Sequence, residues 1–193
     1  MKLFNHFFSI YLLLFVVFLQ GCIAVAGGAA ATGAAVAYDR RTTGTIIDDQ
    51  SIELKAGQLL SEDKEINDNS HINVTSYNLV ALVTGETTSD DIRNRIINIV
   101  KNIPKVTHVY NEVTIAAPSS LTSRSSDSLI TSKVKTKLFG LENFDSARVK
   151  VVTEKGVVYL MGLVTKEEAD RATEATRQVG GVQKVVKLFQ YID

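Results

Sequence analysis

The chain has 193 residues and balances 21 Lys and Arg against 21 Asp and Glu, which gives a formal net charge of zero. With 45% apolar and 22% charged residues the composition is that of a globular protein, and the single cysteine excludes a disulfide framework. The neutral total hides a split, because residues 48–118 contain six basic and eleven acidic residues (net −5) whereas residues 119–193 contain twelve basic and nine acidic ones (net +3). Such asymmetry indicates different partners for the two halves.

The first 21 residues are predicted to be a secretory signal peptide. Lys2 makes the start basic, and Phe7 to Leu19 is an apolar run broken only by Ser9. This run is shorter than the ~20 apolar residues that a membrane-spanning helix needs. It ends in Leu-Gln-Gly-Cys at residues 19–22, which resembles the bacterial lipobox. In that pathway the cysteine thiol accepts a diacylglycerol, and the chain is cut before the cysteine.

Cys22 is therefore predicted to be the lipidated first residue of the mature protein. An ordinary signal peptide with an irrelevant cysteine is the alternative, but a lone free thiol would be a liability in an oxidising compartment. Two or three acyl chains on one cysteine, palmitate among them, make membrane attachment effectively permanent. Ile23 rather than Asp follows the cysteine. By the sorting rule of enteric bacteria this resembles an outer-membrane address, with the protein on the periplasmic face.

Residues 22–47 are predicted to form a lipidated tether. Ile23 to Ala37 is almost entirely Ala, Gly and Val, and is too short for a second membrane span. A segment at the bilayer surface is the better interpretation. Arg40 and Arg41 are candidates to contact lipid phosphates, and a plain linker is the alternative for them.

The rest of the chain contains an internal repeat with an offset of 76–78 residues. A Pro- and Ser-rich segment, residues 117–126, is predicted to link a first module at 48–116 to a second at 127–193. The matching pairs of segments are Ile52–Leu60 with Ile130–Leu138, Ile72–Asp91 with Val149–Glu168, and Val106–Ile115 with Val182–Tyr191.

Each copy is predicted to fold as helix, strand, strand, helix, strand. Ile130, Val134 and Leu138 have the i, i+4, i+8 spacing of one buried helix face. A strand, a crossover helix and a further strand make the last strand parallel to the one before the helix. The fold class is therefore α+β, with a small mixed three-stranded sheet packed against two helices in each copy.

The start of the second helix carries its own signals. Thr165 and Glu168 have the spacing of a capping box, and Thr88 with Asp91 repeats that spacing in the first copy. Gly85 and Gly162 occupy matching positions, and we expect them to be structural glycines where the second strand gives way to this helix.

These features together resemble one family. A lipobox, a Gly-Thr-x-x-Asp-Asp string at residues 44–49, two αββαβ copies, and the pattern Val106, Val109, Asn111 and Val113 resemble two-domain outer-membrane lipoproteins with BON domains. The resemblance spans nearly the whole chain. It implies binding of anionic phospholipid, such as phosphatidylglycerol or cardiolipin, and a role in keeping the outer membrane intact.

The sequence offers little for catalysis. His71 and His108 lie in different strand contexts without cysteine or paired carboxylates at ligand spacing, and His108 is expected to face solvent. A GXXG loop, which would indicate RNA binding in an αββαβ module, is absent from the sequence. We therefore expect no enzyme activity, no metal, no cofactor and no nucleic acid partner.

The first helix of the second copy is the predicted lipid-binding element. Beside the core stripe, a second stripe at helical spacing carries one apolar side chain, two hydroxyls and two ammonium groups. This combination is typical of a helix that lies at a membrane interface. These residues are Leu129, Ser132, Lys133, Thr136 and Lys137. A solvated charged face is the alternative, and the family resemblance implies an aromatic residue where this chain has Leu129.

The last strand of the second copy is apolar on both faces. Val185 and Phe189 have the parity of the core face, yet Val186, Leu188 and Ile192 make the other face apolar as well. We expect the first module to cover this second face.

An alternative function also follows from the charge split. The acidic first module would dock an envelope protein or an assembly factor, and the chain would then act as a non-enzymatic adaptor.

The lipidation hypothesis makes a direct prediction. Mass spectrometry of protein extracted from membranes is expected to find Cys22 at the N-terminus, carrying the mass of a diacylglycerol and an amide-linked acyl chain. The Cys22→Ser variant should lack both additions. A mature chain that begins elsewhere, or an unmodified cysteine, would contradict the prediction.

Overall fold

The computed structural model describes residues 39–192, so the predictions on the signal peptide, on Cys22 and on Ile23 to Ala37 fall outside the described residues. Residues 39–193 form one compact unit. All three clusters of buried apolar side chains lie inside it, so this unit has a complete core of its own. Within the described part of the chain, no helix combines the length and the apolar character that crossing a bilayer requires.

The first module has three helices and three strands. They are α1 (Thr43–Glu62), α2 (Lys64–Asn69), β1 (Ser70–Tyr77), β2 (Val80–Thr87), α3 (Asp90–Lys101) and β3 (His108–Ile115).

The second module repeats this order, with a single 3₁₀ turn at Ser146–Arg148 in place of α2. Its elements are α4 (Leu121–Phe139), β4 (Val149–Glu154), β5 (Val157–Val164), α5 (Lys166–Arg177) and β6 (Lys184–Tyr191).

Both sheets have the predicted mixed topology. The second strand lies in the middle, antiparallel to the first strand and parallel to the third. The predicted α+β fold with two αββαβ modules is thus confirmed, and α2 is the one additional helix.

The helices of each module cover one face of its own sheet. In the second module, Ile130, Val134 and Leu138 are buried against β4, β5 and α5, as their spacing predicts. The first module uses Ile52, Ala56 and Leu60 in the same way. Because these positions repeat at an offset of 78, the two modules have equivalent cores.

The other faces of the two sheets pack against each other. Leu188 of β6 is 8% exposed, and it belongs to an apolar cluster with Tyr77 and Leu82 of the first module and Tyr159 and Met161 of the second. The prediction that the first module covers the second face of β6 is confirmed for Val186 and Leu188. Ile192 is the exception, since it remains half exposed beyond the end of the strand.

Polar contacts surround this apolar interface. Glu86 is fully buried and its carboxylate lies 2.7 Å from the Lys155 ammonium group of the other module. Further hydrogen bonds between the modules, with donors first, include Lys150 to Glu53 (2.7 Å), Asn78 to Gln190 (2.7 Å), the Tyr77 hydroxyl to the Arg148 carbonyl (3.2 Å) and the Tyr159 hydroxyl to Glu112 (3.2 Å).

A buried aspartate on the first helix of each module holds the adjacent hairpin turn. The Asp127 carboxylate accepts the backbone N–H groups of Lys155 and Gly156, both at 2.9 Å, and these two residues have positive φ. Asp49 accepts the N–H groups of Asn78 and Leu79 at 2.8 Å in the same manner. The two-residue turn of left-handed residues matches the twist of the strands, and the aspartate satisfies its donors.

The two predicted glycines lie inside strands, not at the point where the strand ends. Gly85 pairs with Ile72, and Gly162 pairs with Val149. A Cβ on Gly85 would lie 1.9 Å from the His71 carbonyl oxygen, and Gly85 has φ +120°. A Cβ on Gly162 would lie 2.6 Å from the carbonyl oxygen of Arg148, the residue just before β4. The expected position was wrong because the second strand continues for two residues past each glycine, to Thr87 and Val164.

Three helix starts also differ from the sequence-based prediction. α1 begins at Thr43, within the predicted tether, and α4 begins at Leu121, within the predicted linker. In both cases a hydroxyl residue that suggested a loop is the N-cap, namely Thr42 and Ser120. The cap of α3 is Ser89 rather than Thr88, since β2 keeps the chain extended as far as Thr87.

Arg40 and Arg41 are built into the fold, so neither lipid contact nor a plain linker describes them. Arg40 makes two hydrogen bonds with the Glu168 carboxylate, at 2.6 and 3.0 Å, and one with the Leu163 carbonyl. Arg41 pairs with Asp49 at 2.8 Å and lies over the Tyr77 ring. The chain therefore contacts both modules before α1 begins.

Glu168 joins three parts of the chain. Its side chain closes the predicted capping box with Thr165, which is confirmed, and also accepts hydrogen bonds from Arg40 and Arg148. Burial alone would raise the pKa of Glu168, but the hydrogen bonds from Arg40, the Thr165 N–H group and Arg148 lower it to about 2.

Removing the Asp127 carboxylate is expected to destabilise the protein. Asp127→Ala leaves two turn N–H groups without an acceptor, and each buried unsatisfied donor costs ~1–3 kcal/mol. Urea unfolding should show a loss of about 2–4 kcal/mol. The exposed Asp68→Ala serves as the control and should change stability little. An equal effect of the two substitutions would refute the role of the carboxylate.

The lowered pKa of Glu168 predicts an acid dependence. The unfolded state binds a proton more readily than the folded state, so the stabilisation is present at neutral pH and is lost as the pH falls from about 4.5 towards 2. Glu168→Gln should lower stability at pH 7 and flatten the pH profile in this range. Glu167→Gln, at an exposed neighbouring position, should keep the wild-type profile. Identical profiles for the two variants would contradict the prediction.

Candidate functional site

The outer face of α4 brings the five predicted lipid-binding residues together. They line one surface groove of about 470 Å³, whose opposite wall is formed by Gln178 and Val179 at the end of α5. The buried stripe of α4 faces the sheet. The five groove residues form the neighbouring stripe, which faces outward on the side next to α5.

The residues of the groove differ in chemistry along α4. Leu129 is 63% exposed, and it forms the apolar end of the groove. Lys133 and Lys137 are exposed one and two turns further on. The hydroxyls of Ser132 and Thr136 lie between them and donate to backbone carbonyls four residues earlier, both at 2.9 Å. Their oxygen lone pairs therefore remain available as acceptors towards the groove.

The charge of the second module is concentrated on α4. Its other cations are largely paired, for example Arg148 with Glu168 and Lys150 with Glu53. By contrast, none of the ion pairs in the described part of the chain involves Lys133, Lys135 or Lys137. Three uncompensated ammonium groups on one helix form a positive surface for an anionic partner.

Two further exposed apolar side chains lie on the same helix. Phe139, at the end of α4, is 81% exposed, and Leu121 at its start is 76% exposed. With Leu129 they give this helix apolar side chains near both ends and in its middle. The corresponding helix of the first module, α1, carries Lys55 together with Glu53 and lacks such a basic row.

Gln178 and Val179 are groove residues that sequence reasoning missed. They lie more than 40 residues from the α4 cluster along the chain, at and beyond the C-cap of α5. Val179 also packs on the core of the module. Their position opposite α4 is set by tertiary packing between segments that are distant in the sequence.

The two histidines lie apart from this groove. His108 is exposed, as expected, with its ring edge against Tyr110. His71 is half buried, and burial together with the charge of Arg124 lowers its pKa, whereas Glu86 opposes that shift. Among residues 39–192, no three His, Cys, Asp or Glu side chains are grouped so that they could hold a metal ion.

Comparison with known proteins identifies both modules. The family model described as "BON domain" matches residues 48–117 and 126–193. "Outer membrane lipoprotein DolP" of Haemophilus influenzae is 38% identical over 177 residues, which cover 92% of each chain. "21 kDa hemolysin" of Actinobacillus pleuropneumoniae is 34% identical over 80% of this chain and 79% of its own. "Osmotically-inducible protein Y" of Escherichia coli is 29% identical over 74% and 72%, respectively.

Proposed function

We propose a membrane role for this chain, which belongs to the BON-domain family as a lipoprotein with two such domains. Its second module binds anionic phospholipid through the groove on α4, and the lipid on Cys22 holds the protein at the periplasmic face of the outer membrane. A relative that is 38% identical over nearly the full length and is named an outer membrane lipoprotein supports this location.

The observation that carries the proposal is the convergence of the groove residues. An exposed leucine, two hydroxyl oxygens and two unpaired lysines line a single depression, with a third lysine and an exposed phenylalanine on the same helix. An interfacial helix needs this combination, because apolar side chains enter the acyl boundary while ammonium groups contact the phosphates.

The expected binding energy is small, and the anchor makes it sufficient. Each lysine near an anionic surface contributes ~1 kcal/mol, so the two groove lysines supply only about 2 kcal/mol. A protein already attached to the membrane binds a headgroup as an intramolecular event, at a high effective concentration. Cys22 thus provides attachment, and α4 provides discrimination between anionic and neutral lipid.

The proposed consequence is support of envelope integrity. The protein is attached permanently through Cys22 and binds anionic headgroups reversibly through α4. It therefore concentrates in regions of the membrane that are rich in these lipids. The adaptor role of the first module is compatible with this function, because the two modules use different surfaces.

Vesicle binding by residues 39–193 tests the proposal. The wild-type unit should bind phosphatidylcholine vesicles that contain phosphatidylglycerol or cardiolipin more tightly than phosphatidylcholine alone, and salt should weaken the preference. Lys133→Gln with Lys137→Gln should weaken binding ~30-fold, the equivalent of about 2 kcal/mol. Leu129→Ser should weaken binding to the anionic vesicles further.

The first module offers matched controls for these variants. Lys55→Gln with Lys64→Gln removes the same total charge, and Lys55 occupies the repeat position of Lys133. Leu54→Ser removes a leucine that is 75% exposed on α1. These controls should bind as the wild type does. Equal losses in the two modules would show that only net charge matters, and indifference of the wild type to vesicle charge would refute lipid recognition by α4.

A further inference from the structure

The outer face of α4 separates two grooves, and the lipid-binding proposal uses only the one next to α5. The other groove lies on the β4 side of the helix and measures about 400 Å³. We call it the β4-side groove. Thr136 lines both grooves, so both open along the outer face of α4. Besides Thr136, the β4-side groove is lined by Lys135, Leu138, Phe139, Ser146, Ala147 and Val149.

Lys135 gives the β4-side groove a positive charge. Because an α-helix turns about 100° per residue, Lys135 lies about 200° around the helix axis from both Lys133 and Lys137, on the opposite flank of α4. It is the only ionisable side chain among the lining residues, and it forms no ion pair with any residue that the structure describes. Residues 128–141 contain three lysines and no Asp or Glu.

The acidic side chains nearest in the sequence do not line this groove. Asp145, which precedes the 3₁₀ turn, pairs with Arg148 at 3.6 Å and accepts the Ala147 N–H group at 3.1 Å. Glu142, in the loop after α4, is exposed and lines neither groove. The charge of Lys135 is therefore available to an anion from outside the protein.

The other lining residues favour a phospholipid over a free anion. Leu138 and Val149 are buried and form an apolar base, and Phe139 is 81% exposed. The Ser146 hydroxyl makes no hydrogen bond within residues 39–192, so it can donate to a phosphate oxygen. An ammonium group and a hydroxyl donor next to an apolar surface match a phosphate that is joined to acyl chains.

The first module lacks this combination at the equivalent place. The repeat offset of 78 aligns Lys135 with Gly57 and Phe139 with Ser61. The groove between α1 and β1 measures about 300 Å³ and has neither a cation nor an aromatic residue among its lining residues. Glu53 is its one ionisable side chain, and it already forms an ion pair with the second module. We therefore expect no lipid phosphate in that groove.

We propose that the β4-side groove binds a second anionic phospholipid. The Lys135 ammonium group and the Ser146 hydroxyl contact its phosphate, and Phe139 packs beside its glycerol and the adjoining part of its acyl chains. α4 thus binds one lipid molecule on each flank. This inference rests on the proposed function, because it requires α4 to face the membrane, but it concerns a different groove and different residues.

NMR titration of residues 39–193 with monomeric dihexanoyl phosphatidylglycerol distinguishes the two grooves. The backbone amides of Ser146 and Ala147 report on the β4-side groove, and those of Gln178 and Val179 report on the groove next to α5. None of these four residues belongs to α4, so each pair reports on one flank of the helix. Both pairs should shift with this lipid. Dihexanoyl phosphatidylcholine, or glycerol phosphate at the same concentration, should shift the Ser146 and Ala147 amides little.

Lys135→Gln and Lys137→Gln form a matched pair, because each removes one charge from the same helix. Lys135→Gln should weaken binding in the β4-side groove about fivefold and leave binding in the groove next to α5 nearly unchanged. Lys137→Gln should do the reverse. Phe139→Ser should also weaken binding in the β4-side groove, whereas Phe139→Leu, which keeps an apolar side chain, should preserve it.

Three results would overturn the second site. They are the absence of a shift at Ser146 and Ala147, an equal shift there with phosphatidylcholine or glycerol phosphate, and equal losses in both grooves for either lysine variant. The last result would show that only the total charge of α4 matters. If Gln178 and Val179 respond alone, the proposed function stands without the second site. If Ser146 and Ala147 respond alone, the second site stands and the groove next to α5 is refuted.

Discussion

The fold depends on the contact between the two sheets. Each module has helices on only one face of its sheet, and the second face carries Tyr77 and Leu82 in the first module and Tyr159 and Met161 in the second. Modules of about 70 residues bury a limited core alone, and exposure of these side chains would remove much of the hydrophobic stabilisation. Packing the two sheets against each other buries these side chains in both modules. The stability of each module therefore depends on the other.

This contact also decides how the surfaces of the protein are arranged. The polar contacts around it, such as the ion pair of Glu86 with Lys155, fix the relative orientation of the two sheets. Apolar contacts alone would let the sheets slide over each other. Arg40 then ties the segment before α1 to Glu168 of the second module. The chain thus enters a single body at the junction of its halves. That body carries the exposed row of Lys133, Lys135 and Lys137 on α4 of the second module.

The sequence predicted the parts that depend on local periodicity. The stripe of Ile130, Val134 and Leu138, the capping box of Thr165, and the repeat itself follow from spacings that only one structure satisfies. The grouping of the five residues that line the α4 groove was predictable for the same reason, since one helix supplies them all. Val179 was not, because its position opposite α4 results from helix packing between distant segments. The arginines before α1 were misinterpreted, since their carboxylate partners are brought near only by the fold.

NMR relaxation of residues 39–193 tests most directly whether the sheets hold the modules together. The account predicts one rotational correlation time for the amides of both modules, close to that of a rigid body of this size, at low and high salt alike. A pair of shorter and different correlation times, each fitting a single module in free rotation, would contradict it. In that case the position of α4 relative to the first module would not be fixed by the fold.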